Sequence, residues 1–401
     1  MDAKKVLLWG TALAGLLVTD QTLAAPNQIT PSLVLREEFH DNLFFARQGS
    51  EEEEYISTAT PGISLSRQSA RFTAELKGWA EALDYAEHRE LNAVDRFGTV
   101  GLLYSLTENI RLRGNADYGL DSRIDRDLET TGLILSSEER EKQGYGLSSD
   151  FSLSEVSMLS VNCRFNRQEY VDPEFSDFKA SSAGFGFTHD FSRQLETAVG
   201  RLNGSFMRYD YSGFQVENYN LTLGGSFALS EKYSLLLDVG PRYSRSEFEA
   251  WMLLFGLPTG RITSEENDGW GWAGSVTLNY SGEVTQGRIY FSRDLAESSG
   301  RNGTTERTSA GLELSREITD ALRFSLNSSY FLNESAVGEF AAQETDTETW
   351  QVGPRLSYRF NQELTLRLSY SYTAVDDKVT EVEQVKNVAW LELRYDYPLF
   401  D

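Results

Sequence analysis

One cysteine, Cys163, in a chain of 401 residues excludes an internal disulfide and a cysteine-based zinc site. The three histidines, His40, His88 and His189, belong to no His-Glu-x-x-His helix. There is no Gly-x-Ser-x-Gly elbow, and no Cys-x-x-Cys-His to attach haem. These absences leave an enzyme reading without a motif, and no cofactor or metal is expected. Gly269 to Gly274 formally matches a dinucleotide fingerprint, but tryptophans stand where phosphates would approach and no helix follows. Lysine is scarce as well, 8 against 29 arginines, within a net charge of -24. With a pI near 4.6 and no basic stripe, nucleic acid is excluded as a partner. Beyond the first 25 residues no long hydrophobic run exists, and a mean hydropathy of -0.41 excludes a helical membrane protein.

The one such run, Val6 to Val18, follows Lys4 and Lys5 and precedes Ala24 and Ala25. It reads as a secretory signal peptide over residues 1–24, with residues 25–401 as the mature domain. The mature part shows period-two alternation from end to end. Leu364, Leu366, Leu368, Tyr370 and Tyr372 alternate with Thr365, Arg367, Ser369, Ser371 and Thr373. The same pattern covers 110–120, 198–206, 219–229, 270–280, 322–330 and 350–360.

Alternation alone fits a soluble sandwich as well as a membrane barrel, and connection lengths separate the two. Every second connection is short and polar, as at 67–70, 107–109, 230–233 and 361–363, whereas those between are read as loops of about 9 to 24 residues. The fold class is therefore an all-β, transmembrane, antiparallel up-and-down barrel of about 18 strands (16 to 20) in the outer membrane of a Gram-negative bacterium. It is expected to hold both termini on the short-turn side and the long loops outside the cell. Tyr104, Tyr243, Trp272, Tyr280, Tyr358, Tyr395 and Tyr397 are expected in interfacial girdles. The alternation Leu391, Leu393, Tyr395, Tyr397 resembles the assembly signal read by the barrel-assembly machinery, although Asp401 follows the terminal Phe400.

Charge sorts by region. The long-loop segments hold about 38 acidic against about 13 basic residues, with Glu51 to Glu54 the densest run. A solvated surface sharing divalent cations with lipopolysaccharide is the expectation there. Arginines, in contrast, fall on the polar phase of the strands. Arg113, Arg201, Arg323, Arg355 and Arg367 lie at similar depth from the short turns, with Arg242 a further candidate. They are expected to line the inner half of the pore as an anion-attracting ring, unless acids on neighbouring strands pair with them. The apolar stretch Trp251, Met252, Leu253, Leu254, Phe255 is read as a loop that folds inward as a constriction or docks on a partner.

The segments ITPSLVLREEFHDNLFF, Ile29 to Phe45, and PGISL, Pro61 to Leu65, resemble the opening of the β-barrel porins found with exopolysaccharide and exosortase (PEP-CTERM) systems. In that family a first strand leads to an Asp-Asn pair, here Asp41 and Asn42, and the second strand carries Pro-Gly, here Pro61 and Gly62. The resemblance implies an outer-membrane channel for exopolysaccharide export, with the export components as partners. The residues themselves leave two alternatives: a general small-solute porin, or a sheath around a periplasmic electron carrier.

Overall fold

The computed structural model describes residues 27–399, apart from 124, 134–138, 172–174, 194–196, 255–256, 298–302, 337–340 and 342–343. The segment expected as a signal peptide, 1–24, lies outside the described residues, as do Phe255, Phe400 and Asp401.

Eighteen strands form one antiparallel sheet: β1 (Asn27–His40), β2 (Glu54–Gln68), β3 (Phe72–Tyr85), β4 (Ala93–Thr107), β5 (Ile110–Asp121), β6 (Arg140–Ser154), β7 (Ser157–Tyr170), β8 (Phe178–Asp190) and β9 (Ala198–Tyr211) make the first half. The second half is β10 (Phe214–Ala228), β11 (Tyr233–Leu254), β12 (Leu257–Ser281), β13 (Thr285–Glu297), β14 (Thr304–Glu317), β15 (Leu322–Ser335), β16 (Thr345–Arg359), β17 (Leu364–Asp377) and β18 (Val382–Asp396). Each strand pairs with its sequence neighbours, and β1 pairs with β18, so the sheet closes on itself. Closure satisfies the edge amides that hydrocarbon could not.

The burial pattern is that of a barrel turned inside out. On β17 the apolar Leu368, Tyr370 and Tyr372 are exposed, whereas the intervening Ser369 and Thr373 are buried. Two aromatic bands mark the limits of the apolar belt. Near the short turns stand Tyr104, Tyr233, Tyr280, Tyr358, Phe360, Tyr395 and Tyr397; on the long-loop side Phe206, Tyr219, Tyr243 and Trp270 form a chain of ring contacts across β9 to β12. Tyr233 and Tyr243 lie ten residues apart on β11. At about 3.3 Å per residue and a tilt of about 40° this is roughly 25 Å, the height of the apolar band of an outer-membrane barrel.

Above the upper band the phase of the alternation inverts. Outward positions turn polar, Arg208, Asp210, Glu217, Arg245 and Asp268, and inward positions turn apolar: Tyr209, Tyr211, Phe214 and Val216 join Phe178, Ala180 and Leu295 in a buried cluster. The strands here have left the lipid and follow the ordinary water-outside rule.

The connections depart from expectation at this end. Segment 209–218, read as a loop, is the close of a hairpin whose turn is Ser212 and Gly213. Segment 246–269 is ladder too: β11 and β12 stay paired to Leu254 and Leu257. The backbone of Trp251 to Leu254 is therefore strand, because backbone pairing continues where the lipid-type alternation has ended.

Candidate functional site

The lumen is unevenly filled, and β5 records this along a single strand. Its inward residues near the short turn, Arg111, Arg113 and Asn115, are exposed, whereas Gly119 and Asp121 at the far end are buried, Asp121 to 1 %. The filling element is α1 (Asp125–Thr131), a seven-residue helix in the connection from β5 to β6.

Helix α1 crosses the lumen to the opposite wall. Gln351 Nε2 on β16 donates to the Leu128 carbonyl at 2.8 Å, Thr349 Oγ1 donates to the Gly132 carbonyl at 2.5 Å, and Asn333 Nδ2 on β15 donates to the Thr131 carbonyl at 3.0 Å. The Thr131 and Gly132 carbonyls are ones that the end of a short helix leaves without internal partners, whereas the Leu128 carbonyl also accepts from Gly132 N at 3.0 Å. Gly132 has φ +71°, and an added Cβ would stand 2.6 Å from Phe331 Cβ, so both conformation and space require glycine there. Leu128 packs with Phe45 and Val375.

Phe45 comes from the connection between β1 and β2, which also folds inward. Asn42 holds it: its side chain donates to the carbonyls of Ala46 and Val385, both at 2.9 Å, and accepts from Ala46 N at 2.8 Å. Asp41 accepts from Asn387 N at 2.6 Å and from Asn387 Nδ2 at 2.5 Å. The Asp-Asn pair that carried the family resemblance thus fastens this connection to β18. Lys386, 2 % exposed, donates to the Leu43 carbonyl at 3.1 Å and lies over the Phe45 ring at 4.7 Å.

Charged side chains cement the crossing. Arg126 of α1 reaches Asp121 (2.8 Å) and Glu81 (2.8 Å), and Arg140 pairs with Asp121 (2.9 Å) and with Asp127, which also meets Lys142 at 2.9 Å. Arg123 binds Glu38 at 2.5 Å; Glu38 also meets Arg36 at 3.1 Å and His40 at 3.0 Å, and Glu392 joins Arg36 to Arg367, each at 2.7 Å. Positive and negative groups alternate through this chain, as burial requires. The acids of 125–142 were expected as a solvated surface; Asp127 is instead buried among Arg140 and Lys142, because its connection turns into the barrel.

Beneath α1 lies a cavity of about 760 Å³ whose walls include Arg36, Arg126, Arg355, Asn327, Gln351 and Trp390. Trp390 carries the guanidiniums of Arg36 and Arg355 over its ring, at 4.8 and 5.1 Å. A wall of this kind offers hydrogen-bond donors and acceptors of both charges to a polar solute.

Five arginines of the expected ring are distributed as follows. Arg113 pairs with Asp150 (2.5 Å), Arg201 with Asp238 (3.5 Å), Arg323 with Glu317 (2.6 Å) and Arg367 with Glu392, while Arg355 lies against Trp390 in the cavity. Arg242 stands apart from them, buried on the long-loop side and 3.4 Å from Glu306. Arg36, Arg123 and Arg126 were not among the expected residues. Arg36 was legible on the polar phase of β1; Arg123 and Arg126 were not, since nothing in the sequence shows that their connection turns inward.

His189 Nδ1 stands 2.8 Å from Ser157 Oγ, but Asp190 accepts from Ser192 N, so no relay is assembled. Among the described residues no group of three or more His, Cys, Asp or Glu could hold a metal ion.

A closed, even-numbered barrel with an apolar belt between two aromatic bands, a polar lumen and tight turns on one side defines an outer-membrane β-barrel protein. No protein-family model matches the sequence, and neither does any curated protein sequence. Solved structures similar to it include OpdQ of Pseudomonas aeruginosa (10 % identity, TM-score 0.49, covering 93 % of this chain and 99 % of that one) and OccAB4 of Acinetobacter baumannii (8 % identity, TM-score 0.49, 95 % and 100 %). The alcaligin outer-membrane receptor FauA of Bordetella pertussis is also similar (10 % identity, TM-score 0.44, 92 % and 76 %). Likeness at these values says nothing about cargo.

Proposed function

We propose that the barrel is an outer-membrane channel for small polar solutes, with carbohydrates and their carboxylated relatives as the favoured cargo. One observation carries this reading: the polar lumen is open on the short-turn side and narrows to the 760 Å³ cavity beneath α1. A wall on which polar and charged groups predominate favours hydrated solutes over lipophilic ones. Carbohydrate is favoured by the neutral hydrogen-bonding groups Asn327, Gln351 and Ser369 on the cavity wall and by the family resemblance of Ile29 to Phe45. Exopolysaccharide export, the finer reading that the resemblance suggests, requires α1 to leave the lumen, since its carbonyls are bonded to the far wall.

Proteoliposome swelling tests the proposal. Vesicles holding the purified barrel should swell rapidly in an isotonic monosaccharide and slowly in a pentasaccharide. Swelling no faster than that of protein-free vesicles would overturn the channel reading. Equal rates for both sugars would favour passage of a polymer.

A further inference from the structure

The barrel wall is not zipped to the same height all round. Strands β11 and β12 stay paired to the tip of their hairpin, but β12 pairs with β13 only from Ser281↔Gln286 up to Gly274↔Arg293. Above that point β13 continues with β14 alone, Asp294 to Glu297 against Arg307 to Thr304. Its side chains turn inward against β8 to β10. Asp294 accepts from Asn220 Nδ2 at 3.0 Å, and Leu295 joins the cluster of Tyr209, Phe214 and Val216. The two walls therefore part at Gly274.

The height of the parting matters. On β12 the outward residues above it are Trp272 and Trp270, and Trp270, 76 % exposed, belongs to the upper aromatic band. Polar outward residues begin only at Asp268. So among the described residues the β12 edge has no ladder partner on the β13 side from Ala273 up to Gly269, at the level of the aromatic band and below the polar rim, where such backbone needs an occupant or water to satisfy it. Behind the parting, on the lumen side, is a second cavity of about 290 Å³. Asn203, Ser205, Asn220, Thr222, Ser275 and Ser292 line it with neutral hydrogen-bonding groups. Its three charged neighbours are already engaged: Asp238 with Arg201 and Asn203, Asp294 with Asn218 and Asn220, and Arg293 with Glu306 at 2.8 Å while lying over the Trp272 ring at 5.4 Å.

We infer that the β12–β13 parting is a lateral binding site for an amphiphile with an uncharged, hydroxyl-rich head. The head occupies the polar cavity, its chain passes between β12 and β13 under Trp272, and the tail rests in the outer leaflet. The inference goes beyond axial permeation and stands without it.

The test uses the full-length barrel, with Cys163→Ser, in phosphatidylcholine vesicles. An alkyl glucoside carrying a diazirine on its chain is photolysed, and the labelled peptides are mapped by mass spectrometry. Labelling should concentrate on Trp272 to Ser275 and Ser292 to Asp294. The pair Ala273→Cys with Asp294→Cys, at the next register positions above the last ladder pair, should cut that labelling at least fivefold when oxidised and restore it when reduced. Should that pair fail to cross-link or to fold, Ser292→Trp fills the cavity and should give the same loss. Labelling spread evenly around the belt, or unchanged by closing or filling the site, would overturn the inference. Monosaccharide swelling by the unmodified barrel is measured on the same vesicles, so failure of the axial channel and failure of the lateral site are read separately.

Discussion

The two halves of the lumen use the same side chains to opposite ends. On the short-turn side, arginine and acid face each other across a wide, wet wall: Arg113, Arg164 and Arg323 keep about half their side-chain surface in water, even though each has a carboxylate partner. On the long-loop side, Glu38, Asp121 and Arg140 are 1–3 % exposed and locked into chains of alternating charge, and Lys386, 2 % exposed, is held by the Leu43 carbonyl and the Phe45 ring. Exposed pairs contribute at most about 1 kcal/mol each, whereas breaking a buried one costs several times more. The first set tunes the field of an open vestibule; the second holds α1 and the inward connections across the barrel.

Removing the crossing should produce the largest change. Replacing 124–138 with a short Gly-Ser linker is expected to raise single-channel conductance in planar bilayers several-fold and to accelerate pentasaccharide swelling. Unchanged conductance would place the narrowest point elsewhere. Next in size, Arg140→Ala removes the buried cation shared by Asp121 and Asp127 and leaves them only Arg126 and Lys142, a loss of about 3 kcal/mol. Urea titration should show the destabilisation, and bilayer recordings should show more frequent excursions to the conductance of the linker variant. Arg113→Gln on the open side, by comparison, should move the urea midpoint by less than the error of the titration.

Selectivity should respond more weakly. A bare ring of five arginines would favour anions, but four of them carry a carboxylate within 3.5 Å, so changing Arg113, Arg201, Arg323, Arg355 and Arg367 together to glutamine should shift the KCl reversal potential only slightly. Strong anion preference in the unmodified channel, abolished by those five changes, would show that pairing does not neutralise them. Smallest of all is a pH effect at the long-loop end. His88 is bonded through Nδ1 to Glu54 (2.7 Å) and through Nε2 to Glu52 (2.8 Å), and the Glu54 carboxylate beside it raises its pKa. The tie is fully present below the ordinary histidine value, about 6.5, and is lost as pH rises through the elevated one. Proteolysis between Arg47 and Glu53 should therefore quicken on the alkaline side, and His88→Gln should make the rate independent of pH.

Much of the barrel was legible because lipid imposes a period of two on every strand it touches. Ile29 to Phe39 and Ala389 to Tyr397 marked the first and last strands, and eighteen strands follow from the turns. The upper strands were not legible, because above Phe206, Tyr219, Tyr243 and Trp270 the alternation inverts, and a hairpin such as Tyr209 to Val216 reads as a loop when only the lipid-facing pattern is sought. The site was harder still. Arginines on the polar phase could be named, but their partners sit on neighbouring strands at registers that no single strand encodes; Arg367 finds Glu392 across β17 and β18. Nor does a seven-residue helix announce that its carbonyls will bond to a wall more than two hundred residues away along the chain.

The central claim is that α1 spans the lumen and rests on β15 and β16. It is tested most directly by placing cysteines at Thr131 and Asn333, where the Asn333 amide donates to the Thr131 carbonyl at 3.0 Å, in a Cys163→Ser background. A short bis-maleimide added to outer-membrane preparations should join the two and leave the single-channel conductance at its uncross-linked value, because the crossing is the resting arrangement. No cross-link, together with conductance equal to that of the 124–138 linker variant, would contradict it.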